Sequence, residues 1–139
     1  MNQHSAVDME ALFPNLQASV RAPGRVLLAM DSWRDPTPLS RVWCLLEIFT
    51  AIMEEAQLIM CLSSSEQASF AERLAQNHME VQRVLEGVDA EKAEATVDTD
   101  RRMIFRLIRE HTGFEPFNAA IRNALRDSFQ RVVVAQRRL

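Results

Sequence analysis

Two short apolar runs, RVLLAM at 25–30 and QLIMCLS at 57–63, flank a segment with helical periodicity. This order constrains the fold more than any other feature of the chain. Both runs have strand length and lie between turn signals. Ala22-Pro23-Gly24 precedes the first run, and DSWRDPTPLS (31–40), a loop with two prolines, follows it. The segment between the runs, 40–56, reads SRVWCLLEIFTAIMEEA. At about 100° per residue, Val42, Leu45, Leu46, Phe49, Ile52 and Met53 fill one broad face, and Trp43, Glu47, Thr50 and Glu54 fall on the other. Ser40 or Thr37 is placed to cap this helix. Strand, helix, strand with continuous apolar strands predicts a parallel pair joined by a crossover and buried on both faces. Two strands are few for such a sheet. The expectation is therefore a partial α/β sheet, with the chain either the C-terminal portion of a larger domain or paired with another copy.

The remaining segments read as helices. Asp8, Leu12, Leu16 and Val20 sit at four-residue spacing in a helix over 5–21, which Pro14 should interrupt or restart. Ser63-Ser64-Ser65-Glu66 offers an N-cap to a helix at 65–76, and HMEVQRVLE at 78–86 ends at Gly87. Asp89 can cap a short helix through Ala95, and Asp98 can cap RRMIFRLIREH, which stops at Gly113. Glu115-Pro116 opens a long final helix with Phe117, Ile121, Leu125, Phe129, Val132 and Val133 on its apolar face. The helix-rich C-terminal half thus follows the strands within a single domain spanning 1–139, the size expected of one domain.

Composition removes several function classes. With 47% hydrophobic and 25% charged residues, the chain is not of the disordered kind. It has no apolar run of the roughly 18 residues a membrane helix needs, so no membrane partner is expected. No basic start followed by an apolar stretch marks a signal peptide. Cys44 and Cys61 are too few for a disulfide framework and form no CxxC, which points to a reduced, cytoplasmic setting. His4, His78 and His111 are far apart and give no zinc-ligand spacing, so no metal is expected. The net charge of −3 argues against nucleic acid as partner. The charge is uneven: residues 1–70 hold four arginines against eight acids, while 117–139 hold five arginines against Asp127 alone. Arg122 and Arg126, four apart, read as a solvated outer helix face or as contacts for an acidic partner. Gly24, Gly87 and Gly113 form no phosphate-binding glycine loop.

One passage carries a family resemblance. Ser40, Trp43, Cys44, Leu45, Glu47 and Ile48 follow the first apolar run. They resemble the S-x-W-C-x-x-E-L pattern of the Toll/interleukin-1 receptor (TIR) family, with one residue more between Ser and Trp. Trp33-Arg34-Asp35-Pro36-Thr37-Pro38-Leu39-Ser40-Arg41-Val42-Trp43-Cys44-Leu45-Leu46-Glu47-Ile48 is closer still to a TIR-like domain of microbial eukaryotes. That domain stands ahead of tetratricopeptide or nucleotide-binding modules. Asn2-Gln3-His4 and Asp100-Arg101-Arg102-Met103-Ile104 match further phrases of it. The match is strong over 24–62 and loose over 1–4 and 89–126. The family's first strand, and the loop that closes its pocket, have no counterpart before Met1, so the domain reads as N-terminally truncated.

The resemblance implies a flavodoxin-like, TIR-like parallel sheet, here partial. It implies an intracellular signalling module that self-associates or docks with other TIR-like domains. Some TIR domains cleave the nicotinamide–ribose bond of NAD, and their essential glutamate occupies the place of Glu47. Departure of nicotinamide builds positive charge on the ribose, which a fixed carboxylate stabilises. The alternative function is therefore an NAD glycohydrolase with Glu47 as the catalytic carboxylate. NAD enters as substrate, no cofactor is required, and catalysis by this chain alone is not expected without the pocket's opposing wall. Trp43, one turn before Glu47, would supply an apolar wall, and Asp31 and Trp33 would line the pocket. Asp31 and Asp35 follow the first strand, where open α/β sheets bind ligands. Read without the resemblance, Glu47 is a solvated helix glutamate like Glu54 and Glu55, Trp43 is a packing anchor, and Cys44 is core.

Overall fold

The computed structural model describes the backbone of residues 9–137 and the side chains of 14–132. The Asn2-Gln3-His4 phrase, Asp8, and the side chains of Leu12, Val133, Arg137 and Arg138 lie outside the described residues. The chain is mixed α/β and mostly helical. In order it forms α1 (Met9–Arg21), β1 (Arg25–Ala29), a 3-10 turn (Thr37–Ser40), α2 (Val42–Met53), β2 (Gln57–Cys61), α3 (Ser64–Gln76) and α4 (His78–Glu86). A second 3-10 turn (Ala90–Lys92), α5 (Asp98–His111) and α6 (Phe114–Arg137) complete it. α1 runs through Pro14 without a break. The prolyl ring removes one backbone bond, and the following turns stay anchored because Val20 is buried and Leu16 packs on the core.

β1 and β2 pair in parallel, with Leu27 opposite Ile59, Leu28 opposite Met60 and Ala29 opposite Cys61. α2 is the crossover and packs on both strands. The expectation of strands buried on both faces is corrected. Leu28, Leu58 and Met60 point into the core, whereas Arg25, Leu27, Ala29, Gln57 and Cys61 are exposed and Ile59 is half-buried. Among the described residues the helices cover one side of the sheet, so the apolar runs are half-buried strands with apolar residues on their outer side as well.

α2 is the structural centre. Val42, Leu45, Ile48 and Ala51 are completely buried, as β1, β2, α1, α5 and α6 surround it. Two placements on its faces change accordingly. Thr50 is buried, and its hydroxyl donates to the Leu46 carbonyl at 2.7 Å, which satisfies it within the helix. Met53, in the last turn, runs out past the core and is 44% exposed. α6 supplies the second spine: Phe117, Ile121, Leu125 and Phe129 are buried at four-residue spacing. Phe117 stacks on Phe49 of α2 with centroids 4.7 Å apart, and Phe129 stacks on Phe70 of α3 at the same distance.

Helix ends show where local signals hold. Ser63 caps α3 by accepting from the Glu66 amide, and Asp89 accepts from the Glu91 amide, although its turn stops at Lys92 instead of reaching Ala95. Gly113 ends α5 at φ +84°, with its amide donating to the Ile108 carbonyl. The start of α2 differs from expectation. Arg41 holds the cap position without a side-chain bond, and Ser40 donates its hydroxyl to the Thr37 carbonyl instead. A backbone bridge serves in its place: the Val42 amide donates to the Glu94 carbonyl at 2.9 Å, and the Glu94 amide donates to the Ser40 carbonyl at 2.8 Å. Val97, not Asp98, caps α5; Asp98 sits in the first turn and pairs with Arg102 at 2.8 Å.

Candidate functional site

The residues expected to form a pocket fall into two groups held by different elements. Asp31 follows β1 and is exposed. One carboxylate oxygen accepts from the Ser32 and Thr37 amides, and the other accepts from the Thr37 hydroxyl at 2.9 Å. The Thr37 side chain, then the Thr37 amide, hold the Asp31 carboxyl below its usual range. This is the chemistry of a loop staple. A depressed folded-state value makes its stabilising contribution present above the ordinary carboxylate range and lost as the pH falls below it. The urea midpoints of wild type and Asp31→Ala are therefore expected to differ at neutral pH and converge under acid. A gap independent of pH would show that the charge plays no part.

Trp33 is an anchor of the core. It is 1% exposed, its indole N–H donates to the Ser69 hydroxyl at 3.2 Å, and its amide donates to Glu66 Oε1 at 2.9 Å. Its ring meets Phe70 edge-on at 5.4 Å. Trp43 stands on α2, half-buried, with its indole N–H 3.4 Å from Asp100 Oδ2 of α5. Glu47 is exposed one turn later, yet the protein around its carboxyl withholds enough water to push it above the usual range. The Cys44 thiol beside it is pushed up first by burial and then by the Glu47 charge, with Arg41 opposing. Trp33 thus belongs to the α3 side and Trp43 to the α5 side. None of Asp31, Trp33, Trp43 and Glu47 lines either of the two clefts that follow.

The first cleft, of about 270 Å³, lies between the loop 34–40, the end of α4 and the segment 87–93. Arg34, Arg83 and Lys92 line it with Asp35 and Asp89, over an apolar floor that includes Leu39 and Val88. The segment 86–93 is held from outside by long side chains. Asn118 accepts from the Ala90 amide at 2.9 Å, Arg122 donates to the Val88 carbonyl at 2.7 Å, and Arg101 donates to the carbonyls of Glu91 and Ala93. Arg122 is half-buried here, so its reading as a solvated outer face is corrected: it satisfies backbone carbonyls beyond the end of α4. The available sequence signal was the long irregular stretch 87–97, whose backbone polar groups need partners from elsewhere.

The second cleft, of about 290 Å³, runs along residues 57–60 of β2, bordered by Gln67 of α3 and by Ser128, Arg131 and Val132 of α6. It adjoins the uncovered sheet face, where Leu27 is 64% exposed. Among the described residues, no group of histidine, cysteine and acidic side chains is placed to hold a metal ion, and no helix is long and apolar enough to cross a membrane. Comparison with protein-family models, curated proteins and solved structures finds no match to this chain.

Proposed function

We propose that this chain is an association module of the TIR-like kind. In the cytoplasm it would bind a second copy of itself, or another domain of the same kind, through the uncovered face of its flavodoxin-like sheet, as part of a signalling assembly. The observation that carries this reading is the outward row on the β1–β2 pair. Leu27 opposes Ile59 and Ala29 opposes Cys61, an apolar centre with Arg25 and Gln57 as a polar rim. A parallel sheet is ordinarily covered on both faces. A second copy meeting this face about a two-fold axis supplies the missing layer, with each copy burying the row of the other.

The experiment is sedimentation velocity over a concentration series in reducing buffer. The wild type is expected to associate reversibly. Leu27→Lys places a charge where the apolar contact forms, and in a two-fold dimer it acts twice. It is expected to weaken association at least tenfold, about 1.4 kcal/mol, without lowering the unfolding temperature, because Leu27 is already exposed in the single chain. A wild type that stays monomeric at high concentration overturns the proposal, as does a Leu27→Lys variant that associates like the wild type.

A further inference from the structure

We infer that the cleft between the loop 34–40 and the segment 87–93 is a binding site for a small phosphate monoester on a hydroxylated carrier, of sugar-phosphate or nucleoside-monophosphate size. Three observations converge on it. The first concerns cations without partners. Arg34 is engaged, lying over the Trp33 ring and pairing with Glu80 at 3.4 Å. Arg83 and Lys92 make no hydrogen bond or ion pair with their side chains among the described residues. Two unspent cations on one concave surface favour a doubly charged anion, and arginine beside lysine suits phosphate oxygens.

The second observation is the acid in the same cleft. Asp89 is spent, accepting from the Glu91 amide and facing Asn118 Nδ2 at 3.4 Å. Asp35 has no side-chain bond among the described residues, and it pairs with neither Arg83 nor Lys92 although all three line the cleft. A carboxylate held apart from two cations asks for a ligand with an anion at one end and hydroxyl donors at the other. A phosphorylated sugar has that pattern. The volume, about 270 Å³, is at the small end for ligand pockets and suits a ligand of mononucleotide size or smaller.

The third observation is rigidity. Asn118, Arg122 and Arg101 fix the backbone of one wall. The Ser40–Glu94 and Val42–Glu94 bonds tie that wall to the end of the loop 34–40. Preorganised walls lower the ordering cost of binding. The site does not depend on the proposed association, because the cleft is built from the loop 34–40, α4 and the segment 87–93, not from the exposed sheet residues.

The test is calorimetric titration of the purified chain with adenosine 5′-monophosphate, ribose 5-phosphate, inorganic phosphate and adenosine. At least one of the two phosphate monoesters is expected to bind at least tenfold more tightly than inorganic phosphate or adenosine. The ratio between the two monoesters tells whether the carrier is a nucleoside or a simple sugar. Arg83→Gln and Lys92→Gln are each expected to weaken that binding about tenfold, and rising salt is expected to weaken it further. Both residues are exposed, so the unfolding temperature should hold. The inference is overturned if neither monoester binds, if inorganic phosphate or adenosine binds as tightly, or if both variants bind like the wild type.

Discussion

Trp33→Ala is expected to cost about 3–5 kcal/mol of folding stability, the usual range for removing a large buried aromatic. Trp33 joins the loop after β1 to two helices at once. Its ring packs edge-on against Phe70, which stacks on Phe129 of α6, and both of its N–H groups donate to α3. The truncation opens a cavity between these elements and leaves the Ser69 hydroxyl without its donor. A domain of this size holds only about 5–15 kcal/mol in total. The urea midpoint, followed by circular dichroism, should therefore fall by roughly 2 M at a typical denaturant slope. Trp33→Phe keeps most of the packing and should lose much less. A Trp33→Ala midpoint within 0.3 M of wild type, in order-of-magnitude terms under 1 kcal/mol, would show that the indole does not carry the core as described.

Asn118→Leu is the second large effect. Asn118 is 7% exposed, and its side-chain oxygen accepts from the amide of Ala90, which is fully buried. Leucine has the same branched shape, with bulkier methyls and no acceptor, so the Ala90 amide is left buried and unsatisfied, at about 2–3 kcal/mol. The melting temperature should fall by roughly 6–12 °C. Asn118→Asp retains the acceptor but sets a second carboxylate against Asp89, which faces Asn118 Nδ2 at 3.4 Å, so it should not restore wild-type stability at neutral pH. If leucine is tolerated without loss, the segment 87–93 is not held by this bond.

Local chemistry placed the elements well, because each signal and its consequence lie a few residues apart. Ala22-Pro23-Gly24 and the DSWRDPTPLS loop bracket β1, Ser63 finds the Glu66 amide three residues on, and Gly113 takes the left-handed turn that ends α5. The apolar face of α6 followed from its spacing alone. What periodicity could not supply was partners distant in sequence. Thr50 is buried because neighbouring elements close over a face that looks polar in isolation. Arg122 reads as surface charge until the carbonyl of Val88, 34 residues away, is brought to it. The outer residues of β1 and β2 read as core because leucine, isoleucine and cysteine look alike whether a layer covers them or not. For the candidate site, the motif around Trp43 and Glu47 was legible as a pattern on a helix. The cleft lined by Arg83 and Lys92 was not, since it joins a loop near residue 36 to a segment near residue 88.

The bridge at Glu94 has a consequence for how this molecule can be watched opening. The Val42 amide belongs to the first turn of α2, but its acceptor lies 52 residues on, outside that helix. Its exchange with deuterium therefore reports the undocking of the segment 88–97, not the fraying of α2 itself. The amides of Leu45 and Glu54 bond within α2 or at its ends, to Arg41 and Thr50, and report the helix. If these amides exchange at different rates, the second half of the chain lifts from the crossover as a separate, partial opening. If they exchange together, the strand–helix–strand unit and everything clasped to it come apart in one step.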